Sequence, residues 1–384
     1  MKKLKVICFL FDLNVGGPTV RARAVYSKMI DEGYNVRIAF PRGEGSAAAY
    51  MDEKKIPTDS LSITKPVLPR KVRAFLGFIF TSPASLYRVT KYIKREKPDV
   101  IHVNGAFDMI PACAGLLARV PVVWHLNDTV FNAKFSRLLG ALVARIATVV
   151  VVAATKVGEH YGVMKVQPHV IFAPVDISRF SGRKLAKIQS NPPVLTMIGN
   201  WNWIKGQDRF VSVIEKLRQQ HFVVSGLIVG GFIEGQAGFW KPIIDSIDAN
   251  DLRNQIVTPG FSENIKEHLL ETDLFLLTSH SEACPISLLE SMAMGVPAIV
   301  FDVGGVREML GEGDDSAGIV VEPGDCVAMA EAVIKLLSDS QLYSAMSTNG
   351  RKRAKEKFSL EACVSRHKAA YDIAVNSPKF EATQ

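Results

Sequence analysis

Long apolar runs are missing from this sequence. A helix needs about 20 consecutive apolar residues to cross a membrane, and two stretches come nearest to that length. The start Met1-Lys2-Lys3 and the apolar run 6–11 together resemble a signal peptide, but the run is too short and Asp12 ends it. Residues 142–154 are interrupted by Arg145. We therefore expect both stretches to be buried strands with flanking helix, in a cytoplasmic protein.

Cysteine is scarce, and its spacing excludes two kinds of domain. The 5 cysteines are odd in number and include no Cys-x-x-Cys pair, which argues against a disulfide framework and against a redox motif. A reduced, cytosolic compartment fits this usage best. The Asp-x-Asp motif and the ligand spacings of zinc sites are missing as well. We expect no metal and no cofactor.

The composition is otherwise that of a globular chain with an uneven charge. Of 384 residues, 48% are hydrophobic and 22% are charged, which suits buried cores in two or three domains. The formal net charge of +8 is concentrated between residues 65 and 97, where nine basic residues accompany one acidic residue. The nine are Lys65, Arg70, Lys71, Arg73, Arg88, Lys91, Lys94, Arg95 and Lys97.

The basic segment 65–97 also contains bulky apolar side chains. Basic residues beside exposed aromatics favour docking on an anionic membrane surface. The alternative is a solvated helix face whose apolar side lies in the core, and we do not expect nucleic-acid binding. The apolar side chains are Phe75, Leu76, Phe78, Ile79 and Phe80.

Apolar runs of strand length alternate with helical stretches along the chain. This alternation predicts α/β domains whose parallel sheets carry helices on both faces. It weakens over residues 180–191, which predicts a linker between two doubly wound, Rossmann-like domains facing across a cleft. The predicted strands are 5–11, 35–40, 99–103, 121–125, 148–153, 194–198, 222–229, 255–258, 274–277, 298–301 and 318–321. The predicted helices are 19–32, 206–219, 285–294 and 359–375.

The sharpest chemical signal is a pair of glutamates, Glu282 and Glu290, around a predicted helix start. Pro285 suits the first position of that helix, and the next three N–H groups would then be free to bind an anion such as a diphosphate. Glu290 could accept two hydrogen bonds from a ribose diol, and Glu282 could face a reacting sugar. The alternative is a surface helix with two solvated glutamates. The three N–H groups belong to Ile286, Ser287 and Leu288.

Glu282 and Glu290 stand in the spacing Glu-x7-Glu, which is followed by Ser-Met-Ala-Met-Gly-Val-Pro-Ala-Ile-Val and then by Gly304-Gly305. This pattern resembles the signature of retaining glycosyltransferases of family 4, which have the GT-B fold. The resemblance extends in order over nearly the whole chain. The other matching positions are the glycine loop Gly16-Gly17, the cleft histidine His125, the segment 170–176 with Phe180 at the linker, and the phosphate-binding lysine in Lys205-Gly206.

The resemblance implies a role for each domain. Residues 1–180 would form the acceptor-side domain, and residues 190–359 would bind the nucleotide-sugar. The C-terminal helix, residues 360–384, would pack back on the first domain.

The resemblance also implies roles for single residues. Lys205 would pair with the donor diphosphate as a point charge, Glu290 would hold the ribose, and Glu282 would orient the transferred sugar. His125 would bind the sugar or help to position the acceptor. Taken alone, a glycine pair is more often a turn, His125 a satisfied buried histidine, and Lys205 a solvated side chain. The glycines Gly16, Gly17, Gly304 and Gly305 would let backbone amides approach phosphate or sugar closely.

The sequence departs from the family pattern at a few positions. Asn200 stands after Gly199, where the family commonly has an arginine, and asparagine cannot neutralise phosphate charge. Lys205 would then carry more of that charge, or Arg209 or Arg21 would substitute. The pairs Ala283-Cys284 and Ala173-Pro174 replace the family's usual Gly-aromatic and Asn-Gly.

The resulting hypothesis is a metal-independent, retaining transferase. It would use a UDP- or GDP-sugar and a glycan or lipid-linked acceptor in cell-envelope polysaccharide biosynthesis, at the inner face of the membrane. Front-face displacement is favoured over a covalent intermediate, because no nucleophile stands out in the sequence. The alternatives are a nucleotide-sugar epimerase or hydrolase on the same fold, and a non-enzymatic binder of lipid or nucleic acid.

Overall fold

Two units, each built on its own parallel β-sheet, make up the chain. The computed structural model describes residues 3–64, 72–129, 131–182 and 188–378. Unit 1 comprises Met1–Pro174 and Leu360–Gln384, and unit 2 comprises Val175–Ser359. The predicted class, two doubly wound α/β domains, is confirmed.

Unit 1 contains a sheet of 7 strands, all paired in parallel. The strands are β1 (Lys5–Phe9), β2 (Asn35–Pro41), β3 (Thr58–Leu61), β4 (Val100–Asn104), β5 (Val122–Leu126), β6 (Val149–Val152) and β7 (His169–Val170). Their order is β3-β2-β1-β4-β5-β6-β7. Every residue of β4, β5 and β6 is buried, as expected for central strands covered on both faces.

Six helices connect these strands. They are α1 (Gly17–Asp31), α2 (Ala47–Asp52), α3 (Val72–Glu96), α4 (Met109–Ala118), α5 (Ala133–Ile146) and α6 (Thr155–Tyr161). None of the helices in the part of the chain that the structure describes is long and apolar enough to span a bilayer.

Unit 2 contains a parallel sheet of 6 strands in the order β10-β9-β8-β11-β12-β13. The strands are β8 (Val194–Ile198), β9 (Ser225–Val229), β10 (Ile256–Gly260), β11 (Leu274–Leu277), β12 (Ala298–Phe301) and β13 (Gly318–Val321). The helices are α7 (Gln207–Gln219), α8 (Ala237–Ala249), α9 (Ile265–Glu271), α10 (Ile286–Met294), α11 (Val306–Leu310), α12 (Cys326–Ser338) and α13 (Ser340–Lys357).

The last helix, α14 (Leu360–Val375), belongs to unit 1. The Tyr371 hydroxyl lies 3.0 Å from the Tyr26 hydroxyl on α1 and 2.8 Å from Nδ1 of His102 on β4. The Cys363 thiol donates to the Phe172 carbonyl oxygen at 3.3 Å. These buried contacts fix the end of the chain in the core of unit 1.

Each sheet reverses its direction of growth at one point. In unit 1, β1 lies between β2 and β4, and in unit 2, β8 lies between β9 and β11. At such a switch point the loops after the two central strands diverge and leave a crevice at their carboxyl ends. The loops that follow β1, β4, β8 and β11 are therefore the expected places for ligands.

Candidate active site

Lys205 is held at the switch point of unit 2 by a tight turn. The 3-10 turn Trp203–Lys205 follows β8, and Gly206 continues it with φ of 68°. A Cβ atom at Gly206 would lie 2.2 Å from the Thr278 carbonyl oxygen, and the Thr278 hydroxyl donates to the Gly206 carbonyl at 2.8 Å. Only glycine fits here, so the turn anchors Lys205 beside the end of β11.

The ammonium group of Lys205 forms an ion pair with Glu282. Its Nζ lies 2.6 Å from Oε1 of Glu282, and the Ser279 hydroxyl donates to the same oxygen at 2.8 Å. The Glu282 side chain is 10% exposed and the Lys205 side chain 28%. The two residues predicted to meet the donor phosphate and the transferred sugar are thus in direct contact within unit 2.

The loop of Glu282 leads directly into α10. This helix begins at Ile286, so Pro285, predicted to be its first residue, is instead its N-cap, in an extended conformation. No side chain caps the first N–H groups of the helix. The first turn, which includes Ser287 and Leu288, therefore presents unpaired amide donors and the positive end of the helix dipole. This end of α10 is suited to bind an anion near the Lys205–Glu282 pair.

Glu290 lies one turn further along α10 and is only partly exposed. Burial raises the pKa of Glu290 to about 7, and the positive charge of Arg179 acts in the opposite direction. The carboxyl group makes no hydrogen bond to any other described residue. It therefore has its acceptor capacity free for hydroxyl groups of a ligand, which would also favour its ionised form.

Gly304 and Gly305 fit against the loop of Glu282. A Cβ atom at Gly304, whose φ is 57°, would lie 1.5 Å from the Glu282 carbonyl oxygen. The Gly305 N–H group donates to the Ala283 carbonyl at 3.0 Å. The close approach that requires glycine here is therefore to the protein's own backbone. The predicted approach of these amides to phosphate or sugar stays a prediction.

Asn200 braces the loop after β8. Its Oδ1 accepts from the Gly231 N–H group at 3.1 Å, which ties this loop to the one after β9. Of the basic residues predicted to replace the missing arginine, Arg209 keeps a buried Nη1 without a partner. Arg21 is buried in unit 1, where Nη1 lies 2.8 Å from Nε2 of His125. Arg209 is therefore the available candidate within unit 2.

The other predicted residues lie in unit 1. Gly16 is the N-cap of α1, with no side-chain cap, and a Cβ atom at Gly17 would meet no atom within 4 Å. The amide end of α1 is thus open, although nothing close to Gly17 requires a glycine.

His125 ends up in the interior of unit 1. It is fully buried on β5, and burial followed by the charge of Arg21 lowers its pKa well below the usual range. The ring is therefore neutral. Together with His102 and His367 it could offer three nitrogens within 4.8 Å to a metal ion, but the adjoining guanidinium opposes a cation at this place. Its predicted contact with sugar or acceptor stays a prediction.

Several neighbours of the site were not identified from the sequence. Neither Ser279 nor Arg179 belongs to a motif. Ser279 lies three residues before Glu282 in the chain, whereas the place of Arg179 near Glu290 follows from the fold. Three large aromatic side chains are also exposed in the loops after β8, β9 and β10. They are Trp203, Phe232 and Phe261, with 56%, 43% and 72% exposure. Each of them stands a few residues after an apolar run, which is a weak signal.

Two protein-family models together match most of the chain. A family model described as "Glycosyl transferases group 1" matches residues 179–353, and one described as "Glycosyltransferase Family 4" matches residues 15–179. The N-acetyl-alpha-D-glucosaminyl L-malate synthase of Bacillus anthracis is 24% identical over 302 residues, 74% of this chain and 77% of the relative.

Two further proteins are similar over most of their length. The lipopolysaccharide core biosynthesis mannosyltransferase LpsB of Rhizobium meliloti is 24% identical over 269 residues, 68% of this chain and 76% of the relative. The crystal structure of Anabaena HepE in complex with UDP superposes with a TM-score of 0.79 and 19% identity, and the match covers 96% of this chain and 100% of that one.

Two parallel-sheet units with these strand orders, matched over nearly their full length, define a GT-B glycosyltransferase. More particularly, the chain belongs to the group 1 glycosyltransferases, family 4. The family and the fold predicted from the sequence are confirmed.

Proposed function

We propose that the protein is a retaining, metal-independent glycosyltransferase. It transfers a hexose or related sugar from a UDP- or GDP-sugar to a glycan or lipid-linked acceptor during cell-envelope polysaccharide assembly. The names of two similar proteins support the donor and the setting: the Anabaena structure contains UDP, and the Rhizobium relative builds lipopolysaccharide core.

One arrangement carries the proposal: Lys205, Glu282 and the amide end of α10 lie together in unit 2. A donor diphosphate bound at the first turn of α10 would draw the Lys205 ammonium away from Glu282, because a diphosphate bears more negative charge than one carboxylate. Glu282, still held by Ser279 at 2.8 Å, would then be free to accept hydroxyl hydrogen bonds from the sugar. Binding of donor thus converts an internal ion pair into two ligand contacts.

The same groups support departure of the diphosphate without a metal. Negative charge grows on the leaving phosphate oxygen as its bond to the anomeric carbon breaks, and fixed donors that face this oxygen lower the barrier. In front-face displacement the acceptor hydroxyl attacks from the side on which the diphosphate leaves. The hydroxyl proton passes to the departing phosphate oxygen, and the anomeric configuration is retained.

The test is a transfer assay with UDP-glucose, UDP-N-acetylglucosamine and GDP-mannose as donors and undecaprenyl-diphosphate-linked sugars or oligosaccharides as acceptors. We expect release of nucleoside diphosphate that depends on the acceptor, persists in EDTA, and yields an α-linked product from an α-linked donor by NMR. Glu282→Ala should lose most of the turnover. Donor consumption without any acceptor would indicate the epimerase or hydrolase instead, and a β-linked product would contradict retention.

We further propose that segment 65–97 attaches the protein to an anionic membrane surface. Within it, Phe80 and Tyr87 on α3 are 80% and 68% exposed, and the last turn of α3 contains Lys94 and Arg95. Exposed aromatic rings beside lysine and arginine suit the headgroup region of an anionic bilayer. Residues 65–71 and the side chains of Arg73, Phe75, Leu76 and Ile79, which the sequence prediction included, lie outside the described residues.

A further inference from the structure

A cavity of about 240 Å³ lies within unit 1, at the carboxyl ends of β1, β4 and β5. Its walls come from the loops that follow these strands and from Pro18 in the first turn of α1. This is the switch point of the sheet, where a ligand is expected. None of the residues singled out from the sequence as donor-binding lines the cavity.

The polar lining of this cavity is acidic. Asp12, Asp108 and Asp128 contribute three carboxyl groups, and Asn104 and Asn127 contribute carboxamides. No lysine, arginine or histidine is among the described residues that line it. An anionic ligand such as a phosphate or a carboxylate would be repelled, whereas a cationic or hydroxyl-rich group would find acceptors.

Asp108 is the buried member of this group. It is only 6% exposed and its carboxyl group makes no hydrogen bond to another described residue. The other two carboxylates are held in place: Asp128 accepts from the Tyr161 hydroxyl at 3.0 Å, and Asp12 accepts from the Asn14 N–H group at 3.0 Å. The Nδ2 of Asn127 is likewise buried without a partner. The cavity therefore contains a buried acceptor and a buried donor whose hydrogen-bonding capacity is unused.

Among the described residues, no positively charged side chain acts on the Asp108 carboxyl group. Burial, and then the negative charge of Asp128, raise the pKa of Asp108 well above its usual range. The guanidinium of Arg21 donates to Asn104, which lines the cavity, and also contacts His125. A ligand ammonium group would compensate the carboxyl groups and give hydrogen bonds to both Asp108 and Asp128.

The apolar wall suits the body of a sugar ring. Phe107 and Phe131 stack on each other with ring centroids 5.4 Å apart, and both line the cavity with Phe11. Aromatic faces of this kind pack against the C–H groups of a pyranose, while the amides and carboxyl groups of the lining bind its polar substituents.

We propose that this cavity is a subsite for an acceptor sugar that carries a free, positively charged amino group. The ammonium group lies between Asp108 and Asp128, and a ring hydroxyl accepts from Asn127. This inference rests on the proposed function, since it takes the acceptor of a sugar transfer as the ligand, and it restricts that acceptor to amine-bearing glycans.

The test is saturation-transfer NMR with the purified protein and three methyl glycosides that differ in one substituent: methyl glucosaminide, methyl N-acetylglucosaminide and methyl glucuronide. We expect the glucosaminide to bind at least about tenfold more tightly than the N-acetyl compound, and the glucuronide not to bind. Asp108→Asn, which is isosteric with the protonated carboxyl group, should remove most of that preference. Asp52→Asn, at an exposed position of α2, should leave it unchanged.

The outcomes separate the two proposals because no donor is present in this experiment. Equal binding of the charged and acetylated sugars, or binding of the glucuronide, would overturn the amine subsite. If UDP or GDP still stabilised the same preparation, the proposed function would survive that result. A preference that Asp108→Asn does not change would place the amine elsewhere and would also overturn the inference.

Discussion

Glu290 has an environment that couples its charge to both stability and ligand binding. Its raised pKa, about 7, means that the folded chain binds a proton more tightly than the unfolded chain. The contribution of Glu290 to the free energy of unfolding should therefore be highest at low pH and fall as the pH rises from about 4.5 to about 7, because the buried carboxyl group must ionise. Hydroxyl donors of a ligand would offset this cost.

Replacement of Glu290 by glutamine should remove this pH dependence. We expect the wild type to lose about 2.5 kcal/mol of unfolding free energy between pH 5 and pH 8 relative to Glu290→Gln, measured by urea titration at both pH values. Glu331→Gln, at an exposed position of α12, serves as the control and should follow the wild type. Parallel pH profiles for wild type and Glu290→Gln would contradict the assignment of a buried, unsatisfied carboxyl group.

Local sequence is enough to propose residues for the candidate site but not to predict their contacts. Lys205 and Glu290 stand in motifs with a fixed order, so a pattern of residues could identify them. The ion pair between Lys205 and Glu282 joins positions 77 apart in the chain, and the charge of Arg179 near Glu290 depends on unit 2 being folded. Such proximity comes from the sheet topology and has no local signal.

Apolar runs in the sequence predict the bounds of some strands better than those of others. β8, β11, β12 and β13 begin and end where the apolar runs do. The first three are central parallel strands, which are buried on both faces, whereas β13 lies at the edge of the sheet. The run 222–229 was predicted too long: Val223 is 67% exposed, and the Phe222 N–H group closes the end of α7 at Leu217. The edge strand β3, Thr58–Leu61, has only one apolar residue and was not predicted.

The proposed membrane attachment depends on the exposed aromatic rings of α3. If it attaches the protein to lipid, Phe80→Ser with Tyr87→Ser should reduce flotation with phosphatidylglycerol-containing vesicles about tenfold or more, since each ring loses about 1.5–3 kcal/mol of burial. Phe261→Ser, which removes an exposed ring of unit 2, is the matched control. High salt should weaken binding of the wild type. No flotation of the wild type at low salt would remove the membrane proposal.

At the scale of the whole molecule, the alternation of strands and helices was sufficient to predict two parallel sheets, and the order of motifs was sufficient to predict the family. The place of α14 in the core of unit 1 rests on single contacts such as that between Tyr371 and Tyr26. The acidic cavity of unit 1 was not predicted, because Asp12, Asp108 and Asp128 follow three different strands and are separated by long stretches of sequence. Only the sheet topology brings them together.

Donor binding in the proposed function depends on a diphosphate that the Lys205 ammonium and the amide end of α10 bind together. Isothermal titration calorimetry with UDP and GDP, on wild type and Lys205→Met, measures the affinity for the diphosphate directly. We expect the variant to lose at least about tenfold in affinity, with part of the loss restored in Lys205→Met/Glu282→Gln, where no unpaired carboxylate faces the phosphates. Lys352→Met, at an exposed position of α13, should bind as the wild type does. Unchanged affinity in Lys205→Met would contradict the account.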